Sequence, residues 1–186
     1  MIPLVVILFY APYPWAAPAC GTMFILAAVT DSLDGYLARK LGQTSALGAF
    51  LDPVADKLMV VVALVLIVSH EPSELHYIKF NPHVLITLTA AVIVGREITI
   101  SALREWMAEI GKRGKVKVSQ LAKLKTIVQI TGLSCMLFRW NLTLWPGFSV
   151  PVFEIGLVLT VVATVLTLIS AVSYLRAAWP EMRGQE

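Results

Sequence analysis

Two stretches without an acidic or basic side chain, Met1 to Thr30 and Ile155 to Leu175, constrain this 186-residue chain more than any other feature. Crossing about 30 Å of hydrocarbon takes roughly 20 helical residues at 1.5 Å each, so both are candidate membrane spans. The rest of the composition agrees. Only 15% of residues are charged and 58% are hydrophobic, with a mean hydropathy of +0.77. A soluble domain carries about 25% charge. A disordered chain, a nucleic-acid-binding domain and a disulfide framework all fit poorly. The net charge of +3 is read as orientation in a membrane and attraction to anionic lipid, with no nucleic acid as partner. Cys20 and Cys135 stand in apolar sequence without a metal or redox spacing, and are read as two buried thiols. The apolar start lacks a basic n-region and a small-residue cleavage site, so no cleavable signal peptide is expected.

Breaks in the pattern divide the chain into six helical segments, an all-α bundle of six transmembrane helices in a single domain over residues 1–186. Pro12, Pro14 and Pro18 end a short first segment near Tyr10, and a second helix starts near Ala17 and runs through Arg39. Gly42 to Ser45 read as a tight turn. A third helix is expected from Gly48 to Ser69, then a polar loop from His70 to Pro82. The fourth runs from His83 to Arg104, with an amphipathic extension to Glu109. A basic connector leads to a fifth helix, Gln120 to Phe138. Asn141 to Ser149 read as a turn, and a sixth helix spans Val150 to Arg176.

Seven of the fifteen basic residues, Arg104, Lys112, Arg113, Lys115, Lys117, Lys123 and Lys125, sit in and around the connector. That bias assigns this side to the cytoplasm. Alternating six helices places the turn after Arg39 and the tail with Arg176 and Arg183 on the same side. The opposite loops keep Lys79 and Arg139.

All four aspartates fall between residues 31 and 56, as the pairs Asp31/Asp34 and Asp52/Asp56. Spacings of three and four put each pair on one helix face. The first pair ends helix two and the second begins helix three, so the four carboxylates meet at one depth near the cytoplasmic face. Such a cluster repels itself unless divalent cations sit within it. Oxygen-only ligands suit Mg²⁺ or Mn²⁺ rather than zinc. Gly35, Ala38, Gly48 and Ala49 are small enough to let helices approach and a ligand enter.

The string Asp31-Ser-Leu-Asp34-Gly35-Tyr-Leu-Ala38-Arg39, eight residues, Gly48-Ala-Phe-Leu-Asp52-Pro-Val-Ala-Asp56 resembles the signature of the CDP-alcohol phosphatidyltransferase family at every signature position. The resemblance implies a six-helix membrane enzyme that displaces CMP from a CDP-linked lipid by an alcohol, without a covalent intermediate. It implies that Asp31, Asp34, Asp52 and Asp56 hold two Mg²⁺ or Mn²⁺ ions on the diphosphate, with Asp56 also the general base. Gly35, Ala38, Arg39 and Gly48, beside Asp31, would line the cytidine diphosphate site. It also implies a homodimer in a bacterial-type inner membrane with its active site facing the cytoplasm.

The second half selects the alcohol. Arg96 and Arg104 lie eight residues apart on roughly one face, and Lys123 and Lys125 add cations near the same depth. A buried basic pocket suits an acceptor that carries its own phosphate. The stretches AFLDPVADKL, GREITISALREWMAEIGKR and AKLKTIVQ resemble the phosphatidylglycerophosphate synthase branch of the family. That implies CDP-diacylglycerol as donor, glycerol 3-phosphate as acceptor, and Arg96, Arg104, Lys123 and Lys125 on the acceptor phosphate. Phosphatidylglycerol, serine or inositol phosphate as acceptor remains the alternative. A cation transporter and an inactive scaffold are weaker readings, since the acids gather at one face and the metal-site residues are intact. The family's opening, with Asn-Pro-Asn or Asn-Ile-Pro and then Thr-x-x-Arg, has no counterpart before Met1-Ile2-Pro3-Leu4. Either the start is assigned too late or this version lacks those residues, which would leave the first helix truncated.

Overall fold

The computed structural model describes residues 1–42, 46–70, 81–112, 120–145 and 148–183. They form six helices in chain order: α1 (Ile2–Tyr10), α2 (Ala16–Lys40), α3 (Ala46–Ser69), α4 (Pro82–Glu109), α5 (Gln120–Phe138) and α6 (Val152–Arg183). The boundaries fall close to those expected. The loop after His70 and the basic connector around Lys115 lie mostly outside the described residues.

Two local expectations are corrected. Residues 141–149 hold more than a turn: β1 (Leu142–Trp145) and β2 (Phe148–Val150) pair antiparallel, Leu142 opposite Val150 and Thr143 opposite Ser149. The sixth helix continues past Arg176 to Arg183, with Pro180 inside it. Ala178 is packed with Tyr174, Met107, Leu103 and Ile100, and Glu181 pairs with Lys112 at 3.4 Å. These contacts with α4 hold the last turns in place.

By length and composition, α2 over Ala16–Ala38, α4 and α6 can cross a membrane, while Leu124–Phe138 of α5 is a shorter apolar helix. At 1.5 Å per residue, α1 reaches only about 14 Å, half the hydrocarbon thickness. It lies against α2 and α3 with Val5 and Phe9 buried. Its C-terminal end is held by Arg139, whose Nη2 donates to the Phe9 carbonyl oxygen at 3.0 Å and whose guanidinium lies over the Phe9 ring, 4.3 Å from the centroid. One of the two basic residues expected on that side is thus occupied in closing a helix end. Tyr10, Tyr13, Trp15, Trp140 and Trp145 are exposed around the same end, where amphipathic rings suit a membrane–water boundary.

Helix α6 reverses the polarity of a water-soluble helix. It buries Gly156, Thr160, Ala163, Thr164, Thr167, Ser170 and Tyr174 and exposes Val158, Val162, Val165, Leu168, Ile169 and Val172. In hydrocarbon, large aliphatic side chains lose nothing by facing outward, and small or hydroxyl residues gain by letting backbones approach. The hydroxyls of Thr160 and Thr164 donate to the carbonyls of Gly156 and Thr160, each at 2.8 Å. Where α5 meets α6, a Cβ on Gly132 would lie 2.6 Å from Thr160 Oγ1 and 3.0 Å from the Gly156 carbonyl oxygen, and one on Gly156 would lie 2.7 Å from the Gly132 carbonyl oxygen.

That contact generates a test. Gly132→Leu should destabilise the detergent-solubilised protein by about 1–3 kcal/mol through overpacking. Gly95→Ala, which has open space around its Cβ position, should be neutral or slightly stabilising because alanine favours the helix. Thermal unfolding of both variants checks this, and equal behaviour would remove the close α5–α6 approach as the reason for glycine.

Candidate functional site

A half-open cavity of about 310 Å³ lies between α2, α3, α4 and α5. From α2 it takes Phe24, Ala28 and Ser32, from α3 Asp56, Lys57, Met59 and Val60, from α4 Arg96, Glu97 and Arg104, and from α5 Lys125, Thr126, Gln129 and Ile130. Its lining combines apolar side chains with a dense set of charged ones. Four of the expected site residues, Asp56, Arg96, Arg104 and Lys125, therefore share one chamber although up to 69 residues separate them in the chain.

The basic wall is built on one carboxylate. Glu97 Oε1 accepts from Arg96 Nη1 at 3.0 Å and pairs with Lys125 Nζ across α4 and α5. The side chains of Arg96 and Lys125 are only 9% and 6% exposed. Two cations at that depth would be prohibitive without a fixed anion. Helix α6 supplies a second support from outside the cavity lining. Arg96 Nη2 donates to Ser170 Oγ at 2.6 Å, and Ser170 Oγ in turn donates to the Thr167 carbonyl at 2.9 Å. Arg104 Nη2 donates to Tyr174 Oη at 2.7 Å. Both guanidiniums lie near the Tyr174 ring, at 5.9 Å for Arg96 and 4.9 Å for Arg104, within cation–π range.

Bonding in the chamber is incomplete. Among the described residues, Arg96 Nε and Gln129 Oε1 are buried without a hydrogen-bond partner. Buried polar groups are normally paired, so an orphaned donor and an orphaned acceptor beside one cavity mark a place for a ligand. Counting the described charged side chains of the lining, Lys57, Arg96, Arg104 and Lys125 stand against Asp56 and Glu97, a formal excess of two positive charges.

The remaining expected residues lie toward the end of α2 and the start of α3, except Lys123, which is on α5. Asp31 and Asp34 are exposed on the last turns of α2, Gly35 and Ala38 are half-buried there, and Gly48 is half-buried at the start of α3. None of these lines the cavity, although Ser32, next to Asp31, does. The side chains of Arg39, Asp52 and Lys123 lie outside the described residues. Among the described residues no three histidine, cysteine or acidic side chains converge on one point, and no ion pair is made by Asp31 or Asp34. As chemistry, a donor set of carboxylate oxygens alone fits a hard divalent cation.

Sequence reasoning singled out the cations and missed the groups that hold them. Glu97 was legible as an acid beside Arg96 inside a span. Ser170 and Tyr174 carried no signal, since polar residues on α6 read equally as helix packing.

Removing the shared carboxylate should be severe. Glu97→Leu leaves Arg96 and Lys125 buried and uncompensated, and is expected to destabilise the protein by about 3 kcal/mol or more. Glu97→Gln, which keeps an acceptor oxygen, should destabilise it less. Unfolding midpoints in detergent decide this, and a Glu97→Leu protein as stable as wild type would show that the cations reorganise without it.

Comparison with known proteins places the chain in a family. A profile of the CDP-alcohol phosphatidyltransferase family matches residues 1–175. A CDP-diacylglycerol–glycerol-3-phosphate 3-phosphatidyltransferase of Yersinia pestis (strain Pestoides F) is 47% identical over 182 residues, covering 98% of this chain and 90% of that protein. The protein of the same name from Salmonella choleraesuis (strain SC-B67) is 44% identical over 185 residues, covering 100% and 92%. With its signature aspartates on two adjoining helix ends and a profile match over nearly its whole length, the chain belongs to the CDP-alcohol phosphatidyltransferase family.

Proposed function

We propose that this integral membrane protein transfers the phosphatidyl group of CDP-diacylglycerol to glycerol 3-phosphate, giving phosphatidylglycerol phosphate and CMP. The observation that carries the acceptor assignment is the cavity with Asp56 on one wall and the braced cations Arg96, Arg104 and Lys125 on the others. The excess of two positive charges among its described side chains balances a phosphate monoester, which carries about −1.5 to −2 near neutral pH. Guanidinium N–H donors and a lysine point charge suit such an anion. The names of the relatives point to the same acceptor.

In this reading Arg96, Arg104, Lys125 and Lys123 hold the acceptor phosphate so that its free hydroxyl faces Asp56. The hydroxyl oxygen forms a bond to the lipid-side phosphorus of the diphosphate. The anhydride P–O bond breaks, CMP departs with that electron pair, and the hydroxyl proton passes to the Asp56 carboxylate. Positioning and charge neutralisation supply most of the acceleration in such displacements. Gly35, Ala38 and Gly48 leave room for the cytidine diphosphate beside Asp31, and Arg39 contacts a phosphate oxygen. Asp31, Asp34, Asp52 and Asp56 would hold two Mg²⁺ or Mn²⁺ ions. Such ions neutralise the diphosphate and favour departure of CMP.

The chain acts as one domain over residues 1–186, with the helices of the bundle spanning an inner membrane and the aspartates at its cytoplasmic side, where a soluble phosphorylated acceptor is met. A homodimer is the expected assembly, and the mass of the detergent-solubilised particle tests it.

CMP release from CDP-diacylglycerol should require both Mg²⁺ and glycerol 3-phosphate. Release without the acceptor, or with serine in its place, would overturn the assignment. Asp56→Asn should stay folded and lose about 10²- to 10⁴-fold in turnover, the range of a lost general base. Near-normal turnover by that variant at neutral pH would remove Asp56 as the base.

A further inference from the structure

Gln129 belongs to the stretch AKLKTIVQ, and the transfer chemistry gives it no part. It lines the same cavity as Asp56 and Arg96, is 3% exposed, and its Oε1 is buried without a hydrogen-bond partner among the described residues. Leaving a buried amide oxygen unpaired is unfavourable by about 1–3 kcal/mol, so the position calls for a ligand that donates to it. The same holds in reverse for Arg96 Nε, a buried donor in the same chamber without an acceptor. A hydroxyl both donates and accepts, and so can satisfy both atoms.

The position on α5 says which hydroxyl. Gln129 is four residues beyond Lys125, hence on the same helix face and about 6 Å further along the axis. With a phosphate at Lys125 and Arg96, the acceptor's three-carbon chain lies in the cavity that Gln129 and Asp56 also line. Glycerol 3-phosphate has two hydroxyls, a primary one that attacks and a secondary one that does not. We propose that Gln129 recognises the non-attacking hydroxyl of the acceptor and so selects a polyol phosphate over a mono-alcohol phosphate. This rests on the functional reading above, and it adds a specificity residue to the phosphate-holding cations. The amide oxygen takes the hydroxyl's hydrogen while Arg96 Nε donates to its oxygen. Acceptors that lack the group would leave both atoms orphaned, which is how a polar site rejects a near-isostere.

The test compares glycerol 3-phosphate with 3-hydroxypropyl phosphate, which lacks only the secondary hydroxyl, by CMP release from CDP-diacylglycerol and Mg²⁺. Wild type should favour glycerol 3-phosphate in kcat/KM by about 10- to 100-fold, the worth of one hydrogen bond at a buried group. Gln129→Leu should cut that ratio several-fold by weakening glycerol 3-phosphate alone, leaving only the part that the Arg96 Nε contact supports, with the KM for CDP-diacylglycerol unchanged. Gln129→Met, closer in shape, serves if the leucine variant folds poorly, and Gln129→Glu, which keeps an acceptor oxygen, should retain most of the preference. A wild-type ratio near one, a ratio preserved in Gln129→Leu and Gln129→Met, or an equal loss for both acceptors would overturn the proposal, the last two assigning Gln129 to a bound water or to packing. Wild-type protein that releases no CMP with glycerol 3-phosphate would overturn the functional reading and this inference together. Normal wild-type turnover with an unchanged variant ratio would overturn the inference alone.

Discussion

The Glu97 carboxylate is the contact on which the charged half of the protein depends. Helices α4 and α5 each bring a cation to a depth where an isolated charge is strongly disfavoured, and Glu97 meets both. A lone buried ion pair often gains little over apolar packing. Two cations on one carboxylate are different, because the group keeps a net positive charge and unused hydrogen-bonding capacity. The arrangement is a poor way to glue helices together and a good way to keep positive charge waiting for an anion. Ser170 and Tyr174 extend the same logic to α6, bracing the guanidiniums from behind without adding negative charge.

This bracing places a demand on the rest of the bundle. For Ser170 and Tyr174 to reach Arg96 and Arg104, α6 has to lie close along α4 at one end while it packs against α5 at the other. Gly132 and Gly156 allow the second contact, with backbone atoms where side chains would otherwise stand. Ile100, Leu103, Met107 and Ala178 secure the first. Apolar packing between α4 and α6 and the charged site beside it are thus one construction, since a shift of α6 along its axis would release both arginines.

Much of this was legible in the sequence, for reasons that differ from residue to residue. Prolines 12 and 14, the polar stretch after Ser69 and the basic connector mark interruptions between helices, and Pro18 falls in the first turn of α2, where proline is tolerated, so six segments could be read with close boundaries. The aspartate pairs announced themselves because carboxylates are so unfavourable within a span that three- and four-residue spacing leaves few bland explanations. The hairpin was missed although Pro146-Gly147 is a turn signal, because four- and three-residue strands are too short to show alternation. Helix α6 outran its expected end because a proline argues for termination locally, while the Glu181–Lys112 pair that holds the last turns is a contact between residues 69 positions apart.

The groups that sequence reading passed over share one property: they matter through a partner rather than through their own chemistry. A glutamate, a serine, a tyrosine and a glutamine inside apolar helices are each compatible with ordinary helix packing, and polar spacing along one helix cannot tell a brace from a filler. What separates them is whether their hydrogen bonds close within the protein. Glu97, Ser170 and Tyr174 close theirs on the arginines and Lys125, so their role is complete in the folded chain. Gln129 does not. A cavity within a membrane bundle amplifies that difference, because only a ligand or a water that enters it can satisfy a leftover carbonyl. In such a medium an unclosed hydrogen bond beside a charged chamber is itself information about the ligand, and here it describes a small molecule with a phosphate at one end and more than one hydroxyl beyond it.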